Sequence, residues 1–278
     1  KKLFGVAISA TLSTNYEKKG EHRFHIAVQT RDFSQSISCI LNKGQRTREQ
    51  EEELVTEFVI ALISDCCGFE YKYPEIKESV EHIKIAAQDG WADLMSEKIE
   101  FVTSCNQQPR LIFPGAFNPM HDGHIAMSEL AEKELKEKVF YEICIQNVDK
   151  PPLSYHQIKK TIDQFNSSQY WVLTKAGKFS DKARLFPNST FIIGADTLVR
   201  IFDERFYASR REMMEEFQIF NVNNNKFLVF GREYKNKFIE LKDIQIPDPI
   251  KKLFRGFGED IFRKDVSSST IRARNIEE

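Results

Sequence analysis

From Arg110 onward, short apolar runs alternate with segments of helical period, and this alternation constrains the fold more than any other feature. Leu111–Phe113, Val139 to Ile145, Tyr170 to Leu173, Thr190 to Gly194 and Lys226 to Phe230 read as strands. Residues 123–138, Tyr155 to Phe165, a segment from about Asp196 and a short stretch after Ser267 read as helices. The first of these turns Ile125, Leu130, Ala131 and Leu135 inward. Strands joined through helices run parallel, because a parallel pair needs a long crossover. The expectation is an α/β fold, a doubly wound parallel sheet with ligands beyond the carboxyl ends of its strands.

The preceding residues follow another rhythm. Residues 3–9 and 23–30 read as strands around a turn-rich link with Asn15 and Gly20, and a third strand lies near Ser36 to Leu41. Thr47-Arg48-Glu49-Gln50 forms a capping box, after which Leu54, Val55, Phe58, Val59, Leu62 and Ile63 recur at helical spacing until Gly68. Residues 75–102 read as one or two further helices with Ile76, Val80, Ile83 and Ala87 on one face and His82 solvated. The expected division is a small α/β domain over 1–72, a helical connector over 73–108 and a larger domain over 109–278.

With 41% hydrophobic and 29% charged residues, the 278-residue chain can bury a real core. Its 40 basic and 41 acidic residues leave a net charge of -1, so no global field draws it to nucleic acid or a membrane. No apolar run approaches the roughly 20 residues that span a bilayer, so membrane insertion is not expected. Cys39, Cys66, Cys67, Cys105 and Cys144 are odd in number and fit neither a zinc site nor a disulfide framework. They point to a reducing intracellular compartment, the cytoplasm ahead of the mitochondrion. The chain starts Lys1-Lys2-Leu3 without an initiator Met or signal-peptide pattern, which leaves a processed product or a fragment open.

The candidate chemistry sits between the first strand and first helix of the alternating region. Phe113-Pro114-Gly115-Ala116-Phe117-Asn118-Pro119-Met120-His121-Asp122-Gly123-His124 sets two imidazoles three residues apart at a helix N-terminus, beside two glycines. Free N–H groups and the helix dipole favour an anion there, and glycine admits a ligand close to the backbone. Imidazoles can donate to phosphate oxygens that gain charge. Ser267, Ser268 and Ser269 offer hydroxyls before the last helix, and Arg272 follows one turn later with a phosphate-matching fork. Plainer readings stand beside these: a helix cap for Ser267–Ser269, a strand end and N-cap for Gly194-Ala195-Asp196, a loop for Lys150-Pro151-Pro152, a core aromatic for Trp171 and a helix-end charge for Arg274.

Gly115-x-Phe117-x-Pro119-x-His121-x-Gly123-His124 resembles the GxFxPxHxGH signature of the nucleotidyltransferase superfamily. Val266-Ser267-Ser268-Ser269-Thr270-Ile271-Arg272 resembles its ISSTxIR motif, with Ser for Thr and Val for Ile. Gly194-Ala195-Asp196-Thr197-Leu198 is similar to the GAD-x-L segment of nicotinate and nicotinamide mononucleotide adenylyltransferases, and Asn147 to Pro152 to their loop after the second strand. These matches occur in the family's order over roughly residues 110–275. The resemblance implies a Rossmann-like nucleotidyltransferase domain that moves a nucleoside monophosphate from ATP to a small phosphorylated acceptor, a pyridine mononucleotide foremost. It implies His121, His124 and Arg272 as catalytic groups and Gly115, Ala116, Phe117, Gly123, Gly194, Asp196, Ser267, Ser268 and Ser269 as nucleotide contacts. Lys150 would meet the acceptor phosphate, and Mg²⁺ would arrive with ATP and bind largely through water. Those adenylyltransferases often carry a Trp shortly after GAD-x-L; here Phe206 or Tyr207 is the available stacking surface. Cytidylyl transfer from CTP, and a low-activity nucleotide-binding scaffold in a homo-oligomer or larger assembly, are the rival readings.

Residues 3–68 resemble the C-terminal part of the competence-damage-inducible A (CinA) family, through Gly5 to Ser9, Lys19-Gly20-x-His22-Arg23, His25 to Val28 and Gly44-x-Arg46-Thr47-Arg48-Glu49. Members of that kind hydrolyse the amide of nicotinamide mononucleotide. The serine-containing half has no counterpart here, so the resemblance implies a half-domain without amidase activity that packs on the transferase or a partner. His22, Arg23, Arg46 and Arg48 form either an anion patch or ordinary turn and helix-start charges.

Overall fold

A computed structural model describes residues 3–16, 18–146, 151–264 and 266–277. The chain forms two compact units, Lys1–Ala92 with Leu153–Lys159, and Asp93–Pro152 with Lys160–Glu278.

The first unit holds an antiparallel sheet in the order β1 (Phe4–Thr11), β2 (His22–Thr30), β3 (Phe33–Leu41), β4 (Val80–Ala86). Alternate residues of β2 (His22, Phe24, Ile26 and Val28) are buried, as a strand with one covered face requires. The cover is α1 (Arg48–Cys67), whose Phe58 meets Phe24 with ring centroids 5.1 Å apart. The expected capping box forms: Thr47 Oγ1 accepts from the Gln50 N–H, and Gln50 Oε1 accepts from the Thr47 N–H. Such caps are worth about 1 kcal/mol. Gly68 ends the helix at φ 83°, a left-handed position that suits glycine.

The helical reading of residues 73–108 is overturned. This stretch contains β4, a five-residue helix α2 (Trp91–Met95) and the short strand β5 (Phe101–Thr103). Ile83 and Ile85 stand two residues apart, and pairing with β3 decided the outcome. His82 is therefore a strand residue; its Nε2 lies 2.6 Å from Gln35 Nε2 and its ring meets Tyr73 edge-on.

The second unit is built on a seven-stranded sheet. Its remaining elements are β6 (Leu111–Pro114), α3 (Asp122–Leu135), β7 (Val139–Cys144), the end of α4 (Tyr155–Ile162, which belongs to the first unit up to Lys159), β8 (Tyr170–Thr174), α5 (Phe179–Leu185), β9 (Thr190–Gly194), α6 (Ala195–Ile201), α7 (Arg210–Val222), β10 (Lys226–Phe230), the hairpin β11 (Arg232–Tyr234) and β12 (Lys237–Ile239), α8 (Asp248–Lys251), β13 (Phe254–Phe257) and α9 (Ser268–Glu277). The strand order is β13-β10-β9-β6-β7-β8-β5, parallel except for β5. This is the expected doubly wound sheet: the chain starts in the middle at β6, builds outward through β7 and β8, then reverses direction at β9. β6 and β9 pair over only two positions, Leu111 with Thr190 and Ile112 with Phe191. Beyond them the carboxyl ends carry no shared ladder, and a crevice opens where such sheets bind ligands.

Two details differ from the sequence reading. Ile125 is exposed, and Met127, Ser128 and Ala131 form the buried stripe of α3. The strand β13 and helices α5 and α7 had no assigned place; β13 has only four residues and a glycine, below what a period can reveal.

Candidate functional site

The loop from β6 to α3 is fixed from beneath. Phe117 has φ 43°, and its ring is 1% exposed between Phe113, Tyr141, Phe165 and His124. Phe117, expected at the nucleotide, is thus a packing anchor whose side chain is out of a ligand's reach. Gly115 owes its identity to that ring, since a Cβ there would lie 2.6 Å from Phe117 Cζ. Gly115 N–H donates to the Glu142 carbonyl at 3.0 Å. Gln164 braces the loop from both sides: Nε2 donates to the Phe117 carbonyl at 2.8 Å, and Oε1 accepts from the Met120 N–H at 2.8 Å. Ala116 is exposed on the same loop.

This brace presents the imidazole pair at the crevice. His121 is the N-cap of α3, and its ring stacks on that of His124 with centroids 3.7 Å apart and planes 20° apart. The His121 backbone N–H donates to His124 Nδ1 at 3.3 Å, so the neutral His124 ring carries its proton on Nε2. Burial, then the adjoining His121 and Arg232, pull the His124 pKa down to about 3. Burial and Arg232 also lower that of His121, against a smaller opposing pull from Asp122. Both rings are therefore neutral donors at pH 7. Both ring nitrogens of His121 are buried without a hydrogen-bond partner, as is Asp196 Oδ1. Buried polar atoms are seldom left bare unless something else completes them.

His121, Gly123, His124, Gly194, Arg232 and Lys264 line a narrow cleft of about 20 Å³ at this point. Gly123 and Gly194 keep it open. A Cβ on Gly123 would come within 3.0 Å of the His121 ring, and one on Gly194 within 2.4 Å of Asp196 Oδ1. Asp196, in the first turn of α6, faces Arg232 Nη1 at 3.9 Å, an ion pair without a hydrogen bond. Sequence reasoning missed Arg232, Lys264 and Gln164. Arg232 had a usable signal, a basic residue after Gly231 at the carboxyl end of a parallel strand.

The serine-rich segment reaches the same loop. Ser268 Oγ donates to the Pro119 carbonyl at 2.9 Å, and Arg272 Nη1 donates to the Asn118 carbonyl. Ser267 caps α9, its Oγ accepting from the Thr270 N–H at 3.1 Å. This is the helix cap of the plainer reading. The Ser269 and Arg274 side chains and all of Lys150 lie outside the described residues. Tyr207 packs edge-on against Phe217 and bonds the Ile201 carbonyl at 2.9 Å, so it belongs to the core; Phe206 is exposed. Trp171 is a half-buried residue of β8. Among the described residues no three His, Cys, Asp or Glu side chains are grouped to hold a metal ion, and no helix is long and apolar enough to cross a membrane.

The first unit's suggested anion patch dissolves. Arg46 forms a two-pronged pair with Glu78 at 2.6 and 3.0 Å, Arg48 Nε donates to Glu52 at 2.6 Å, and His22 Nδ1 lies 2.9 Å from buried Glu51. Arg23 lies 3.9 Å from Glu21.

The model of the family described as cytidylyltransferase-like matches residues 112–274. Among solved structures, the chain is similar to a Plasmodium falciparum nicotinic acid mononucleotide adenylyltransferase complexed with NaAD, at 17% identity and a TM-score of 0.34, over 60% of this chain and 83% of that one. No curated protein matches it.

Proposed function

We propose, from the premise that the chain belongs to the cytidylyltransferase-like family, that its second unit transfers a nucleoside monophosphate from a nucleoside triphosphate to a small phosphorylated acceptor. The donor in this reading is ATP and the acceptor a nicotinate or nicotinamide mononucleotide. One observation carries it: a stacked, neutral imidazole pair in which both ring nitrogens of His121 are unpartnered, at the point where the sheet reverses direction.

An acceptor phosphate oxygen attacks the α-phosphorus, and the bond from that phosphorus to the pyrophosphate oxygen breaks. Both reactants are anions, so the protein must align them and offset their charge. The His124 Nε2–H and the His121 ring supply hydrogen bonds that strengthen as charge builds on the phosphoryl oxygens. Arg232 supplies a full positive charge beside them. Arg272 holds the loop by one nitrogen and keeps further N–H donors for the phosphates, with Ser267, Ser268 and Ser269 at the helix start. Lys150 is assigned to the acceptor phosphate. Magnesium in this reading would be carried by the phosphates and water and would supply charge neutralisation when bound. No covalent enzyme intermediate is needed.

The family description supports a second donor, CTP, and the acceptor in that alternative is a phospho-alcohol. Pyrophosphate release by the purified chain, with Mg²⁺ and each pairing of ATP or CTP with a pyridine mononucleotide or phospho-alcohol, decides. Turnover with ATP and a pyridine mononucleotide is the expected result. Turnover with CTP alone overturns the donor and acceptor, and none with any pairing overturns the transferase. The first unit, in the same reading, has no amidase activity of its own.

A further inference from the structure

One buried ion pair of the second unit stands outside the chemistry assigned to the cleft. Glu142, in β7, and Lys182, in α5, expose 1% and 5% of their side chains. The Lys182 ammonium directs all three of its donors at fixed targets. It donates to Glu142 Oε1 at 2.7 Å, to Glu142 Oε2 at 2.8 Å and to the Ala176 carbonyl at 2.6 Å. Thr174, fully buried, donates from Oγ1 to Glu142 Oε1 at 2.5 Å and accepts at the same atom from the Ala176 N–H at 3.2 Å. The turn that leaves β8 is therefore tied to the Glu142 carboxylate through both backbone groups of Ala176. The main chain of Glu142 serves the other neighbour of β7. Its carbonyl accepts from the Gly115 N–H at 3.0 Å, at the root of the loop that carries the imidazoles. A single residue thus joins the turns that follow β6 and β8.

Stability alone is a poor account of this pair. Two charges taken out of water lose hydration that their attraction barely repays, and a well-packed apolar pair of similar volume is often as stable or more so. An apolar pair, however, cannot fix direction. Short bonds that use every donor of the ammonium admit one geometry, whereas packed methylenes can slide. The imidazole loop depends on geometry of that kind, since a displacement of about 1 Å at reacting groups can cost about 10²-fold in rate. Gln164 holds the far end of this loop at Phe117 and Met120, and the Glu142 carbonyl holds its root.

We propose that Glu142 and Lys182 are positioning residues: their buried pair fixes the end of β7, and through it the turn after β8 and the root of the loop that presents His121 and His124. The role in catalysis rests on the transferase reading, but the hold on the two turns is measurable without turnover. Both residues act through the loop rather than on a reactant. Their mark is therefore a loss of kcat with KM little changed, because ground-state binding tolerates a slightly displaced loop and transition-state contact does not.

The test separates holding from stabilising. Lys182→Met strands a buried carboxylate, so it should lower both stability and kcat. The double variant Glu142→Met with Lys182→Met removes both charges and should regain most of the stability in urea unfolding. Its kcat per folded molecule, with ATP, Mg²⁺ and nicotinate mononucleotide, should nonetheless stay about tenfold below that of the unaltered chain, with KM little changed. Hydrogen exchange read by mass spectrometry needs no turnover. In the double variant, peptides covering residues 114–118 and 174–178 should exchange faster, while β9 and β10 keep their protection. A kcat that returns together with stability overturns the positioning role, because the pair then only stabilises. Unchanged exchange in both turns overturns it as well, whether or not the chain turns over. Faster exchange confined to the two turns, in a chain that turns over no donor, leaves the hold on the turns standing and overturns the transferase reading.

Discussion

The N-terminal sheet and the cleft of the second unit are both rich in cationic and imidazole groups, yet they balance them in opposite ways. In the first, three of the four groups singled out from sequence meet a carboxylate closely: Arg46 with Glu78, Arg48 with Glu52 and His22 with Glu51. In the second, His121 has two bare ring nitrogens, and Arg232 reaches Asp196 only at 3.9 Å. A residue type therefore does not mark a site; an uncompensated charge or donor does. Matched charges are structure, and unmatched ones are a request for a ligand.

The sharpest way to break this contrast is to remove one group from each side. His124→Ala should cut turnover by about 10² to 10³, the usual loss for one donor to a developing oxyanion, with the folded fraction monitored because its ring also packs on Phe117. A variant that folds and turns over normally would remove the imidazole pair from the chemistry. Arg46→Met should instead destabilise the first unit by about 3 kcal/mol in urea unfolding, since it strands Glu78 at 2% side-chain exposure. Turnover per folded molecule should hold. Replacing both partners, Arg46→Met with Glu78→Met, should recover much of the loss.

Acid supplies the smallest and most discriminating effect. The unfolded chain binds a proton on His124 near pH 6.5, whereas the folded chain does so only near pH 3. Between these values the unfolded state holds the extra proton, so stability falls as pH drops, by up to about 1.4 kcal/mol per unit. Glu78, held near pKa 2 chiefly by its hydrogen bonds from Arg46, also contributes less stability as pH falls, but over a lower window. It contributes fully above the ordinary carboxylate range and is lost only as pH falls from about 4.5 toward 2. From pH 7 to 5, chemical denaturation should therefore weaken the second unit and spare the Glu78 pair. Pyrophosphate should flatten that slope, because an anion raises the pKa of the imidazoles. An unchanged slope in its presence would separate the anion site from His124.

Much of this was legible in the residues. The strand–helix alternation placed β6 to β10 and the last helix, because each has enough residues to display a period. The Thr47 cap and Gly68 stop were legible because capping is local chemistry. Residues 80–86 misled because Val80 and Ile83 keep helical spacing while Ile83 and Ile85 stand two residues apart, and only the partner strand β3 decides between them. The site was half legible. Its histidines and glycines sit in one contiguous stretch, whereas Arg232, Lys264 and Gln164 join them only through the path of the sheet and loops. Phe117 shows the limit of motif reading, for a motif position can be kept by what it supports underneath.

Gln164 has one more consequence. A single carboxamide grips the arc 117–120 at both ends, so the loop that carries the imidazoles takes its shape when the chain folds. An arriving substrate would then lose little affinity to ordering this jaw, and capture would be governed by encounter and charge steering rather than by closure.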